Sequence, residues 1–212
     1  MKLESHSYKA YTEIRKKILT HQLSPDTRLK EDTWAKKLDI SRMAVREALT
    51  RLLGEGLVKA GVKGGYFIKP MTPFDIHEIR ELREILELGA IRLAIKQMTK
   101  LQIEKLEKIC DDFTSMVTQG YYNGVCEVDI KFHETLIEYS GNSKLLAAYR
   151  ASHIPLFHMI IGKTSEYMND YDITDNEHRQ LVKALKAKKL PLAEKILSDH
   201  FLRGESIVLE MD

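Results

Sequence analysis

The segment ISRMAVREAL, residues 40–49, decides the fold of the amino-terminal part of the chain. Ser41 suits the cap of a helix, because its hydroxyl oxygen can accept a hydrogen bond from a backbone N–H of the first turn. Apolar residues follow at helical spacing and predict a helix that ends at Gly54. The predicted buried face consists of Val45, Ala48, Leu49 and Leu52. The predicted outer face carries Arg42, Met43, Arg46 and Thr50.

Two more helices and a hairpin surround this segment. From Tyr8 to Leu23, apolar side chains fall on one helical face. A second, short helix is predicted to contain Leu29, Trp34, Ala35 and Leu38. The runs GLVKA (56–60) and YFIKP (66–70) predict two strands, and GVKGG (61–65) between them predicts a flexible basic tip. The pattern therefore predicts a winged helix-turn-helix with three helices and a two-stranded wing.

The distribution of charge divides the chain at Pro70. Residues 1–70 contain 15 Lys and Arg against 8 Asp and Glu, a net charge of +7, whereas residues 71–212 contain 18 against 23. A compact basic domain attracts phosphate backbones, although charge alone leaves DNA, RNA and other polyanions open. We expect a DNA-binding domain over residues 1–70, a linker over 71–74 and a second domain over 75–212.

The second part of the sequence is helical almost without interruption. Residues that tend to end helices divide it into about six helices. They occur at Thr99, Gly120, Gly141–Ser143, Gly162–Ser165 and Lys189–Pro191. Pro155 should kink the helix that contains it. Helices joined by short turns predict an antiparallel α-helical bundle, so the whole chain is expected to be mainly all-α.

No signal-peptide pattern follows Met1, and no apolar run reaches about 18 residues, the length that a membrane span needs. Cys110 and Cys126 are too few for a disulfide framework. These features predict a cytoplasmic protein without membrane association.

The helix over residues 42–54 carries the residue types that read DNA. Arg42 and Arg46 are one turn apart near its amino terminus, so both guanidinium groups can bind guanine edges or phosphates in a major groove. The glycines of the hairpin tip permit a close approach to DNA. The predicted DNA-binding residues are Ser41, Arg42, Met43, Arg46, Lys63, Gly64 and Gly65. The alternative is that the two arginines only solvate a helix face.

Residues 23–68 resemble the amino-terminal domain of GntR-family regulators. The resemblance rests on Ser41-Arg42, on VREAL at 45–49, on the following EGLV and on the wing strand. The chain departs from the family pattern at Asp26 for a turn glycine, Asp32 for a DNA-contacting arginine, Trp34 for a leucine and Met43-Ala44 for Thr-Pro. The resemblance implies a homodimeric transcription factor that binds double-stranded operator DNA.

A possible metal site lies in the second domain. Asp129 and His133 are four residues apart on one predicted helix, and His178 and His200 lie on later helices that a bundle can bring together. From spacing alone, ordinary structural histidines remain the alternative. Residues 75–208 also resemble the FCD domain of the FadR-type branch of GntR regulators, and the resemblance implies that these four residues bind a divalent metal. We expect zinc before nickel, manganese or iron.

Arg83 matches an arginine that pairs with an effector carboxylate in this branch, while a salt bridge with Glu84 or Glu87 is the open alternative. The expected function is that of a repressor, not an enzyme, released from DNA when a small organic acid binds beside the metal. A dimer reads half-sites about 34 Å apart, so a small rotation weakens both contacts. A metal-dependent hydrolase and a regulator with a purely structural metal are the rival interpretations.

Overall fold

The computed structural model describes residues 5–19, 22–70, 72–152, 154 and 168–210. The chain divides into two compact units, residues 1–72 and 73–212. The predicted kink at Pro155 lies outside the described residues, as do the nearby His153 and His158. No helix among the described residues combines the length and apolarity that crossing a membrane requires.

The amino-terminal unit contains α1 (His6–Leu19), α2 (Glu31–Leu38) and α3 (Arg42–Gly54). α1 packs against α3, whose buried residues include the whole predicted inner face. The hydroxyl oxygen of Ser41 accepts a hydrogen bond from the backbone N–H of Ala44 at 3.1 Å and caps α3. The predicted start, end and inner face of this helix are confirmed.

The wing is a three-stranded antiparallel sheet rather than the predicted two-stranded hairpin. β2 (Val58–Ala60) and β3 (Tyr66–Ile68) form the hairpin, and β1 (Arg28–Leu29) pairs with the other edge of β3. The assignment of Leu29 to the second helix is wrong, because α2 begins at Glu31 and Leu29 lies opposite Tyr66. A strand of two residues is too short to show an alternating pattern, and its partner lies beyond α3 in the sequence.

The carboxy-terminal unit is a bundle of helices. Its described helices are α4 (Pro73–Gln97), α5 (Lys100–Thr118), α6 (Tyr122–Tyr139), α7 (Ser143–Ala151), α8 (Met168–Lys186) and α9 (Leu190–Glu210). α4 begins inside the segment predicted as a linker, so residues 73 and 74 are helical. Proline suits the first position of a helix, where its missing N–H interrupts no helical hydrogen bond.

Helices α6, α8 and α9 all contribute buried side chains to the core of this bundle. α4 packs against α6 and α9, and α5 packs against α6 and α8. Phe132 of α6, Leu181 of α8 and Phe201 of α9 are all buried in one apolar cluster. Burial of such a side chain stabilises the fold by about 1.5–3 kcal/mol. The same packing positions the polar residues that these three helices carry.

Candidate metal centre and nucleic-acid interface

α3 presents a polar surface at its amino-terminal end. The side chains of Arg42 and Arg46 are 62% and 52% exposed, and Met43 is also exposed. Ser41 lies at the same end, on the exposed side of the helix start. The recognition-helix residues that the sequence predicted are therefore accessible together on one surface.

Both arginines have acidic partners at the start of α2. Arg46 donates hydrogen bonds from Nε and Nη2 to the two carboxylate oxygens of Glu31, each at 2.9 Å. Arg42 Nε lies 3.0 Å from Asp32 Oδ1, and its Nη2 lies 3.8 Å from Glu31. The hydrogen bond from Arg46 lowers the pKa of Glu31. These ion pairs were not predicted from the sequence, because each joins a residue of α2 to a residue of α3.

The tip of the wing is a tight turn with glycine at its strained positions. Gly64 and Gly65 have φ angles of 82° and 89°, which favour glycine over residues with a side chain. A Cβ added at Gly65 would lie 3.2 Å from the Arg28 guanidinium. Lys63 is exposed beside them, and Thr50 and Tyr66 share a hydrogen bond of 3.0 Å between α3 and β3. The wing is thus tied to the recognition helix.

The predicted metal-binding residues come together inside the carboxy-terminal unit. Asp129 and His133 lie on α6, His178 lies on α8 and His200 lies on α9. All four are at most 2% exposed. Ring nitrogens of the three histidines lie within 4.8 Å of one another. Asp129 Oδ1 lies 3.5 Å from His178 Nε2 and 3.8 Å from His133 Nε2.

The carboxylates of Glu87 and Glu177 orient two of the imidazole rings through hydrogen bonds to Nδ1. His133 donates a hydrogen bond from Nδ1 to Glu87 at 2.6 Å, and His200 does the same to Glu177 at 2.7 Å. Within the described ranges, the buried Nε2 atom of His133 makes no hydrogen bond. Histidines that bind metals are commonly held by such a carboxylate. The donor set of three imidazoles and one carboxylate fits a divalent transition metal.

Burial sets the charge states in this cluster. It lowers the pKa of His133 well below the usual range, and it also lowers that of His200 against the opposing effect of Glu177. Burial raises the pKa of Asp129 to about 7, although the Arg83 charge opposes this shift. Neutral imidazoles with free lone pairs are the form that binds metal ions.

The contacts of Glu87 and Glu177 with the histidines were not predicted from the sequence, which suggested Glu87 only as a partner of Arg83. Glu87 is distant from His133 in the sequence, so no spacing links the two. Glu177 adjoins His178 in the sequence, and neighbours on a helix point in different directions. Its carboxylate contacts His200 of α9 instead, and Arg203 binds it at 2.6 Å.

Arg83 is buried beside this cluster. Its Nε donates a hydrogen bond to Glu87 at 3.1 Å, and its guanidinium carbon lies 4.5 Å from the centre of the Phe201 ring. Of the two salt bridges that the sequence left open, the structure contains the one to Glu87, whereas Glu84 binds Arg80 and Ser198. Contact of Arg83 with an effector stays a prediction.

Comparisons with known proteins match both units. Residues 7–68 match the bacterial regulatory proteins of the gntR family, and residues 78–203 match the FCD domain. The chain is 28% identical over 193 residues to the uncharacterized HTH-type transcriptional regulator YdhC of Bacillus subtilis (strain 168), covering 90% of this chain and 85% of that protein. It is 29% identical over 199 residues to the gluconate operon transcriptional repressor of the same organism, covering 89% and 79%. The solved structure of E. coli McbR/YncC superposes with a TM-score of 0.81 at 20% identity and covers 99% of both chains. The two Bacillus subtilis proteins are named as a regulator and a repressor, and they give no support to the hydrolase alternative.

Proposed function

The chain belongs to the GntR family of bacterial transcriptional regulators with an FCD domain, and from this premise we propose that it is a homodimeric repressor that a small carboxylate releases from DNA. Its role as a DNA-binding regulator, not an enzyme, follows from the family. The proposal adds the ligand and the metal. The observation that carries it is the buried cluster of Asp129, His133, His178 and His200.

The proposed DNA interface is the outer face of α3 together with the wing tip. Arg42 and Arg46 would enter a major groove, where guanidinium groups bind guanine edges and phosphates. Ser41 lies near a phosphate in this arrangement, and Lys63 would reach the adjacent groove because Gly64 and Gly65 permit close approach. Met43 would contact bases through its apolar side chain.

The proposed metal site uses the three imidazole nitrogens and the Asp129 carboxylate. Zinc suits this donor set best, and nickel, manganese or iron are the alternatives. When bound, the metal would supply a Lewis-acidic position for an anionic ligand. Glu87 and Glu177 hold the rings of His133 and His200 in the orientation that such a site requires.

The proposed effector is a small organic acid that Arg83 helps to hold. The planar guanidinium group of Arg83, which already binds Glu87 through Nε, is of the type that recognises carboxylates. The name of the similar gluconate operon repressor is a reason to include sugar acids among the candidates. Binding beside Glu87 would act on α4, which is the first helix of the carboxy-terminal unit.

The proposed homodimer is supported by apolar residues on the exposed side of α4. Leu82, Ile85 and Leu93 fall within one helical stripe and are 38%, 71% and 39% exposed. Apolar side chains that recur along one exposed face are typical of an interface. A second copy of the chain satisfies the need for two recognition helices on a palindromic operator.

Calorimetry of the full-length protein tests the proposal. We expect at least one member of a panel of mono-, di- and hydroxycarboxylic acids to bind the zinc-loaded protein and to weaken its binding to a duplex selected from random DNA. Chelation or His133→Ala should abolish acid binding, and Arg83→Gln should weaken it at least about tenfold because a charged hydrogen bond is lost. Unfolding on chelation together with no acid binding to the loaded protein would indicate a purely structural metal.

A further inference from the structure

We propose that the two acidic residues at the start of α2 act on the recognition arginines in opposite directions: Glu31 positions Arg46 for DNA, and Asp32 restrains Arg42 and weakens DNA binding. The inference rests on the proposed contacts of Arg42 and Arg46 with DNA. It assigns a role to two residues that do not themselves bind a base or phosphate.

The geometry of the pair of Glu31 and Arg46 suits Glu31 to hold the Arg46 side chain in place. Both carboxylate oxygens of Glu31 accept hydrogen bonds, at 2.9 Å each, from Nε and Nη2 of Arg46. The Glu31 side chain is 17% exposed, whereas that of Arg46 is 52% exposed. A guanidinium carries five N–H donors, so this pair leaves three for DNA. A side chain that is already fixed loses less conformational freedom on binding.

The pair of Asp32 and Arg42 has a different geometry. It depends on one contact of 3.0 Å between Oδ1 and Nε, and the two side chains are 63% and 62% exposed. Such an exposed pair is weak and opens readily. When Arg42 turns to a phosphate, the Asp32 carboxylate stays beside the first turn of α3 as an exposed negative charge. It then competes with the phosphate for Arg42 and repels the DNA backbone.

The two carboxylates therefore differ in how far they are exposed to solvent. The charge of Glu31 is cancelled by a bidentate partner and is largely withdrawn from solvent, so its repulsion of DNA is small. The charge of Asp32 faces solvent and has no bidentate partner among residues 5–19 and 22–70. Neutralising Glu31 should release Arg46. Neutralising Asp32 should leave Arg42 with only its longer contact of 3.8 Å to Glu31, so that Arg42 turns to DNA more readily.

The test measures binding of the full-length protein to a duplex that the wild-type chain selects from random DNA, by fluorescence anisotropy over a series of salt concentrations. We expect Asp32→Asn to bind roughly two- to fivefold more tightly, the range that an exposed ion pair allows. The slope of log K against log salt should steepen by up to about one, because one more phosphate is neutralised. Loss of the acidic side chain near the start of α2 acts against this gain by weakening the helix.

Glu31→Gln should bind about two- to tenfold more weakly, since Arg46 loses a charged bidentate partner. Glu31→Asp keeps the charge but shortens the side chain, so it should also weaken binding. The matched control is Asp39→Asn, which removes one exposed acidic charge from the other end of α2; no ion pair of Asp39 occurs within the described part of the amino-terminal unit. Its affinity should stay within about twofold of the wild type.

Several results would overturn the inference. One is an Asp32→Asn protein that binds no more tightly than the Asp39→Asn control, since this would reduce Asp32 to general surface charge. Another is tighter binding by Glu31→Gln. The separate variants Arg42→Ala and Arg46→Ala distinguish the two levels of the argument. If they bind DNA as the wild type does, the proposed DNA interface is wrong; if they bind weakly while Asp32→Asn is unchanged, only the role of Asp32 is wrong.

Discussion

The carboxylate of Glu87 contacts both a proposed metal-binding residue, His133, and the proposed effector-binding residue, Arg83. Its Oε2 accepts a hydrogen bond from His133, and its Oε1 accepts one from Arg83. It is fully buried, and burial raises its pKa against the lowering effect of Arg83. A buried carboxylate is costly unless charged or polar groups surround it. Glu87 therefore holds a proposed metal-binding residue and the proposed effector-binding arginine in a fixed relation.

We expect Glu87→Gln to lower zinc affinity by about 10- to 100-fold, the usual effect of removing a partner that orients a metal-binding histidine. Competition with a chromogenic chelator measures this affinity. The matched control is Glu84→Gln, on the same helix, which removes a carboxylate that binds Arg80 and Ser198 instead. Equal zinc affinities for the two variants would contradict the role assigned to Glu87.

Among the helices of the amino-terminal unit, α2 contacts the recognition helix α3 through its acidic side chains. Its first turn holds Glu31 and Asp32, and its last turn is closed by Asp39 with φ 53° and ψ 56°. This left-handed conformation is strained for a residue with a side chain and natural for glycine. The carboxylate of Asp39 also lies at the negative end of the helix dipole.

Asp39→Gly should raise the free energy of unfolding of the amino-terminal unit by about 0.5–1 kcal/mol, since it relieves both backbone strain and the dipole. Trp34 is the single tryptophan of the chain and is buried in α2. Urea unfolding followed by its fluorescence therefore reports on this unit. Asp39→Ala is the control, because it removes the charge and keeps the strain. An equal gain from alanine would show that the backbone conformation is not the cause.

In the whole molecule, the proposed DNA-binding residues and the proposed ligand-binding residues belong to different units. The net positive charge is confined to residues 1–70, and the buried polar cluster belongs to residues 73–212. A ligand can change DNA affinity only if it binds the two states of the protein differently. In a dimer, the proposed release from DNA follows when ligand binding changes the spacing of two recognition helices.

The dimer proposal predicts the effect of a charge on the exposed stripe of α4. Ile85→Lys should raise the dissociation constant of the dimer by at least about tenfold, because a buried lysine without a partner is unfavourable. Size-exclusion chromatography with light scattering measures it over a range of concentrations. Leu101→Lys on α5 is the control, since Leu101 is 75% exposed and Ile85 is 71% exposed. Dissociation of both variants, or of neither, would place the interface elsewhere.

The helix α3, its cap at Ser41 and its two faces could be predicted from the amino-acid sequence. Capping and helical periodicity depend on residues within about one turn of each other, so local sequence carries them. The division of charge at Pro70 is likewise visible without any structure. The spacing of Asp129 and His133 placed both on one helix face, and a bundle can bring His178 and His200 to them. The resemblance to the FCD domain was what favoured a metal over ordinary structural histidines.

The contacts between side chains of different elements could not be predicted from the sequence and are known from the folded structure. Leu29 lies in a third strand rather than in the predicted helix, and Arg42 and Arg46 pair with carboxylates of α2. Glu87 and Glu177 contact the Nδ1 atoms of His133 and His200. These contacts join residues on different elements, and their existence depends on how whole helices pack. Helical periodicity shows which face of a helix is buried, but it does not show which residue of another helix that face will touch.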